Sequence, residues 1–145
     1  MKTVGILNGP NLDRLGHREP EIYGKQSLAD LEALLKQEAQ ALKVELLFFQ
    51  SNHEGELIDT LNRWSQQKLS GIILNPAAYT HTSVALYDAV AASSVPVVEV
   101  HISNIYAREP FRQKSLTAPA AKALVSGMGF EGYCAALRFL VNKKS

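Results

Sequence analysis

Near position 100 a carboxylate and an imidazole, Glu99 and His101, stand two residues apart at the end of the apolar run Val97–Val100. In a strand, residues i and i+2 project from one face, so the two side chains can meet. A carboxylate beside an imidazole favours the imidazolium and holds its ring, which makes a general acid near neutral pH. The spacing leaves open a plainer role, Glu99 as a structural charge paired with an arginine. Tyr23, in a loop that also carries Arg14 and Arg18, is a candidate base. An unperturbed phenol with a pKa of about 10 is ionised to only about 0.1% at pH 7, a cost of about 4 kcal/mol. One or two guanidinium groups in a closed, dry site offset much of that cost. A lid anchor is the alternative for a tyrosine beside Gly24.

Other chemistries fit less well. His53, His81 and His101 lie in different segments without the H-x-H or H-E-x-x-H spacing of a metal site, so no metal is expected. Cys134 sits beside Ala135, Ala136 and Leu137 and reads as a small core hydrophobe. Imine chemistry needs a desolvated lysine, and neither Lys25 nor Lys114 has apolar flanks. Gly127-Met-Gly-Phe-Glu-Gly132 spells G-x-G-x-x-G between a strand and a helix. A dinucleotide fold needs a further strand ending in an acidic residue, and here one helix follows, so these glycines read as a tight turn and close packing.

The elements that must position these residues alternate. Strands are expected at Thr3–Leu7, Val44–Gln50, Gly71–Leu74, Val97–Val100 and Ala123–Ser126, mostly continuous apolar runs as in parallel strands covered on both faces. Between them, Leu28, Leu31, Leu34, Leu35, Ala39 and Leu42 mark a helix with a capping box at Ser27 and Asp30. Leu57, Ile58, Leu61 and Trp64 mark another, and Phe130–Val141 a last one. This pattern predicts a flavodoxin-like, doubly wound α/β fold: five parallel strands in the order 2-1-3-4-5, residues 1–145 forming one domain. The helix Ser83–Ala92 is apolar around most of its circumference, which fits a subunit contact as well as simple alanine-rich propensity. Strand starts recur every 26 or 27 residues except the first interval, which takes 41. The surplus at Gly9–Gln26 reads as a mobile lid over about residues 12–25.

Ligands of open α/β sheets bind beyond the carboxyl ends of the strands. There the chain places Asn8 and Asn11, then Gln50, Ser51, Asn52 and His53, then Asn75, Tyr79, Thr80 and His81, then His101, Ser103, Asn104, Arg108 and Arg112. The opposite edge, with Lys43, Ser70, Ser94 and Lys122, has no such cluster. The 145 residues carry 15 Lys+Arg against 14 Asp+Glu, with no basic run, which argues against nucleic-acid or anionic-membrane binding. One cysteine excludes an internal disulfide. With neither a signal peptide nor a long apolar span to be seen, the expected location is cytoplasmic.

The segments Asn8-Gly-Pro-Asn11, Arg18-Glu-Pro with Tyr23-Gly24, Phe49-Gln-Ser-Asn-His-Glu-Gly55, Tyr79-Thr-His-Thr-Ser83, Glu99-Val-His-Ile-Ser-Asn104 and Ala107-Arg-Glu-Pro-Phe-Arg112 resemble the type II 3-dehydroquinate dehydratases. The resemblance runs in order from about Val4 to Leu140. It implies a hydro-lyase of the shikimate pathway that interconverts 3-dehydroquinate and 3-dehydroshikimate through an enolate, without a cofactor, as a dodecamer of four trimers. It further implies Tyr23 as base, Arg18 favouring its ionised state, a water near Asn11 stabilising the enolate, and His101, with Glu99 behind it, as acid. Asn75, His81, Asp88, Ile102, Ser103 and Arg112 match substrate-binding positions, Asp88 reaching across a trimer contact. The chain departs from many members at Ala77, where they have Gly, at Tyr106, where they have His, and at Gln113-Lys114, where they have His-His.

Overall fold

The computed structural model describes residues 1–17, 19–23 and 25–142. Five parallel strands, β1 (Thr3–Asn8), β2 (Glu45–Gln50), β3 (Gly71–Asn75), β4 (Val97–His101) and β5 (Ala123–Ser126), form one sheet in the order β2-β1-β3-β4-β5. The helices are the single turn α1 (Pro20–Tyr23), then α2 (Leu28–Leu42), α3 (Glu54–Gln66), α4 (Val84–Ala92) and α5 (Glu131–Asn142). α2 starts at the expected capping box: Asp30 N–H donates to Ser27 Oγ at 3.1 Å and Ser27 N–H to Asp30 Oδ2 at 2.9 Å.

Alternation along the strands divides the core into two layers. Val4, Ile6, Ile73, Val98 and Val100 face Leu31, Leu35 and Ala39 of α2 and Ala136, Leu137 and Leu140 of α5. Leu7, Ile72, Leu74 and Val97 face Leu57, Leu61 and Trp64 of α3 and Leu86, Ala89 and Val90 of α4. The helices cover both faces of β3 and β4, so both strands are fully buried and apolar apart from Asn75, Glu99 and His101. β2, on the sheet edge, is only half covered and exposes Leu47. A Cβ at Gly5 would fall 2.3 Å from Trp64 Cε3, so glycine is what lets the indole lie directly on β1.

Three strands run one residue further than the apolar pattern predicts. The ladder continues through the polar pairs Asn8↔Asn75 and His101↔Ser126, so the chemistry-bearing side chains stand on the sheet itself. The glycine-rich segment after β5 is a turn, with Gly127 at φ +91° and Gly129 at φ +60°. A Cβ at buried Gly132 would press on Val125 Cγ1 at 3.1 Å, which is the close packing expected. α4 buries Leu86, Ala89 and Val90 and turns Val84, Tyr87 and Asp88 to solvent within this chain. Among the described residues no helix is long and apolar enough to cross a membrane.

Candidate active site

Beyond the carboxyl ends of β1, β3 and β4 lies an open cavity of about 630 Å³, its mouth included. Its floor is the end of β4. Glu99 and His101 are both buried, and His101 Nε2 lies 2.6 Å from Glu99 Oε2. The same oxygen accepts from Thr80 Oγ1 at 2.8 Å and Ser115 Oγ at 3.0 Å, while Oε1 accepts from Thr117 Oγ1. Burial pushes the Glu99 carboxyl up, but the hydrogen bond and charge of His101 and the hydroxyls of Thr117 and Thr80 outweigh it, and the net shift is downward. An ionised carboxylate only accepts, so Nε2 carries its hydrogen toward Glu99 and Nδ1 is the ring atom left for a ligand. Glu99 is therefore paired with an imidazole rather than an arginine.

The walls are built from the loops that follow the strands. Asn75 lines the cavity with both ends of its amide engaged: Nδ2 donates to Tyr133 Oη at 2.8 Å, and Oδ1 accepts from Ala77 N–H at 3.0 Å. Tyr133 donates in turn to Asn8 Oδ1 at 2.6 Å. Burial pushes this phenol up, which leaves it a neutral link between β1 and β3 rather than a base. His81 Nδ1 donates to the Lys114 carbonyl at 2.7 Å, leaving Nε2 for a ligand. Arg108 and Arg112 enter from the turn after β4, their Nε atoms 3.6 and 3.2 Å from the exposed Glu109 carboxylate. Asn11 closes the β1 side in a left-handed conformation at φ 67°, its N–H donating to Asn52 Oδ1 at 2.9 Å. Gln50 Nε2 reaches the same oxygen, and Tyr79 Oη donates to the Asn52 carbonyl at 2.7 Å.

A buried imidazole–carboxylate pair facing two guanidinium groups can bind a small anionic molecule and pass it a proton. Residues 2–141 match the family described as Dehydroquinase class II. The chain belongs to the class II dehydroquinases. Among its relatives, the 3-dehydroquinate dehydratase of Bacillus licheniformis is 54% identical over 142 residues, covering 98% of this chain and 97% of its own. That of Bacillus subtilis is 55% identical over 139 residues, covering 96% and 93%. The type II dehydroquinase structure from Butyrivibrio crossotus superposes with a TM-score of 0.94 at 39% identity, covering 96% of this chain and 97% of that one. The one from Propionibacterium acnes gives 0.95 at 36% identity over 99% and 98%.

In this dehydroquinase Asn11, Asn75, His81, His101, Ile102, Ser103 and Arg112 all line the cavity, with Glu99 directly behind His101. Asp88 does not line it, being exposed on α4. Arg18 and Gly24 lie outside the described residues, as does the side chain of Tyr23, whose backbone ends α1. The front of the expected lid is packed down, with Leu12 and Leu15 buried in the core. His17 and His53 are exposed and do not line the cavity. Cys134 is buried as expected; burial, with help from Glu131 and Glu38, pushes its thiol up to about 11.

Sequence reasoning missed Ser115, Thr117 and Tyr133. A strand glutamate with no arginine in register was the available signal that buried donors must be supplied from elsewhere. The family departures have structural explanations at three positions. Lys114 meets His81 through its carbonyl, so the contact does not depend on its side chain, and Gln113 Nε2 donates to the Arg108 carbonyl at 2.7 Å. Ala77 takes the left-handed conformation, φ 51°, that glycine adopts more easily. Tyr106 is exposed, and nothing in the structure explains its substitution.

Proposed function

We propose that this cavity removes water from 3-dehydroquinate to give 3-dehydroshikimate, reversibly and without a cofactor, by way of an enolate. Tyr23, as phenolate beside Arg18, takes the proton from the carbon next to the ketone. The electron pair moves onto the ketone oxygen, where a water held near Asn11 stabilises it. The enolate then collapses and expels the β-hydroxyl, which leaves as water with a proton from His101. Exchange of one proton between phenol and imidazole through solvent resets the pair. Arg112, Asn75, His81 and the main chain at Ile102 and Ser103 hold the substrate's carboxylate and hydroxyls.

The observation that supports this reading best is the buried Glu99–His101 pair with Nδ1 left for a ligand, at the floor of a cavity lined by Arg108 and Arg112. In this reading the segment over about residues 12–25 is the lid that delivers Tyr23 and Arg18, and residues 1–145 work as one domain. Trimers assembling into a dodecamer bring Asp88 of a neighbouring copy to the site. The outward face of α4, where Val84 is 63% exposed, supports such a contact. The enzyme works in the cytoplasm.

Mixing the protein with 3-dehydroquinate tests the proposal directly. The conjugated enone of the product absorbs in the ultraviolet, so a rise in absorbance that scales with enzyme is the expected result. Folded protein that produces no rise would overturn it.

A further inference from the structure

We infer that Thr117, together with Thr80 and Ser115, is a positioning residue for the acid step, a hydroxyl cage that holds the Glu99 carboxylate in place behind His101. The inference rests on His101 being the acid, and it concerns residues that lie behind the cavity rather than in it.

Three hydroxyls from two segments converge on one buried carboxylate. Thr80 and Thr117 are both 0% exposed, and their Oγ1 atoms lie 2.8 Å apart. Ser115 Oγ is 2.6 Å from Thr80 Oγ1. Each hydroxyl has one hydrogen, and an ionised carboxylate can only accept. Thr117 therefore donates to Oε1 and Thr80 to Oε2, while Ser115 divides its hydrogen between Thr80 and Oε2. Ser115 Oγ is itself held by Ala118 N–H at 2.9 Å, so the cage is backed by main chain.

The segment at 114–117 ties both cavity imidazoles to one piece of backbone. Lys114 accepts from His81, Leu116 N–H donates to the Thr80 carbonyl at 2.6 Å, and Ser115 and Thr117 hold Glu99. Among the described residues, the groups that bond to that carboxylate are His101 and the three hydroxyls. Its ladder neighbours are Leu74 on β3 and Leu124 on β5, and α4 buries Leu86, Ala89 and Val90 under this face of the sheet. The Ala118–Ala120 turn has no titratable side chain, and Asp88 on α4 is exposed. His81 is tied to Lys114, while Arg108 and Arg112 pair with Glu109.

Removing a donor leaves burial less opposed, so Glu99 takes a proton at higher pH and releases His101 from its orientation. In Thr117→Val, which keeps the shape, the acid limb of the kcat–pH profile is expected to move up by about one pH unit or more, a roughly tenfold or greater change in proton affinity. KM stays within about twofold, because Thr117 does not line the cavity, and Thr117→Ser restores the wild-type profile. An unmoved acid limb, or a change confined to KM, overturns the inference. Should Thr117→Val fail to fold, Ser115→Ala decides it: an upward move of the limb supports the cage, and none overturns it. Carbon-13 titration of the Glu99 carboxyl, read without substrate, gives the same answer even if the wild-type protein proves not to dehydrate 3-dehydroquinate.

Discussion

Floor and β1 wall of the cavity are held by different physics. At the floor, Asn8, Asn75, Glu99 and His101 continue the strand ladder, and their side chains bond to groups far away in sequence: Tyr133, Thr80, Ser115 and Thr117. The wall after β1 is tied to the sheet only at its near end, where Asn11 N–H and Gln50 Nε2 meet Asn52 Oδ1 and Gln50 Nε2 also donates to the Gly9 carbonyl. It turns through left-handed positions at Asn11 (φ 67°), Gly16 (φ 89°) and Glu19 (φ 42°) and is anchored by two leucines, Leu12 and Leu15. A rigid sheet with every donor matched suits a group whose orientation sets the proton transfer. A loop pinned by apolar contacts at its near end suits a group that arrives with closure and excludes water.

The sharpest way to break this contrast is to remove one member from each side. Tyr23→Phe and His101→Ala should both lower kcat by roughly 10²- to 10⁴-fold, but at different steps. With Tyr23→Phe, substrate incubated in deuterated water should exchange no hydrogen at the carbon next to the ketone, because the proton is never abstracted. With His101→Ala, exchange should persist while enone formation stops, since only departure of the hydroxyl is lost. Exchange lost in the His101 variant and kept in the Tyr23 variant would reverse the two assignments.

A smaller effect tests whether the floor is as rigid as its bonding suggests. Tyr133→Phe removes the hydroxyl that joins Asn8 to Asn75 and orphans two buried amide groups, at about 1–3 kcal/mol each. The expected outcome is a lower denaturation midpoint together with a raised KM, since Asn75 lines the cavity. A midpoint unchanged from wild type would mean that water replaces the phenol, and the floor would then be no stiffer than the wall.

How far the sequence reveals these two regions follows from the same physics. Strand and helix alternation is legible because burial on both faces makes β3 and β4 mostly apolar, while α2 shows its period and its Ser27–Asp30 box. Glu99 and His101 are legible because a strand puts i and i+2 on one face. The extension of the ladder to Asn8, Asn75 and His101 is not, since a polar residue at a strand end looks like the start of a loop. The hydroxyl cage is hidden too. Ser115 and Thr117 lie in a stretch rich in small and polar residues that reads as ordinary loop, and only tertiary packing brings them to Glu99. Leu12 and Leu15 stand in a segment whose glycines and charges suggest mobility, yet both are core residues. The outward face of α4 is visible as an excess of apolar residues, though one chain leaves it uncovered.

Ala77 offers the finest test, because it sits where the two modes of support meet. Its N–H donates to Asn75 Oδ1, which ties it to the floor, while its backbone at φ 51° is left-handed like that of the β1 wall. An alanine there costs about 0.4–1 kcal/mol or more relative to glycine. Its half-buried methyl packs against the core and returns about 0.4 kcal/mol, half the value of a fully buried methylene. Ala77→Gly should therefore stabilise the protein slightly, by about 0.5 kcal/mol, or a rise in Tm of about 2 °C for a chain of this size. Because the Asn75–Ala77 bond uses main-chain N–H, kcat and KM should stay within about twofold. A fall in Tm would mean that the methyl packing outweighs the strain, and that this turn is held as the floor is, by close fit, instead of tolerating left-handed backbone as the wall does.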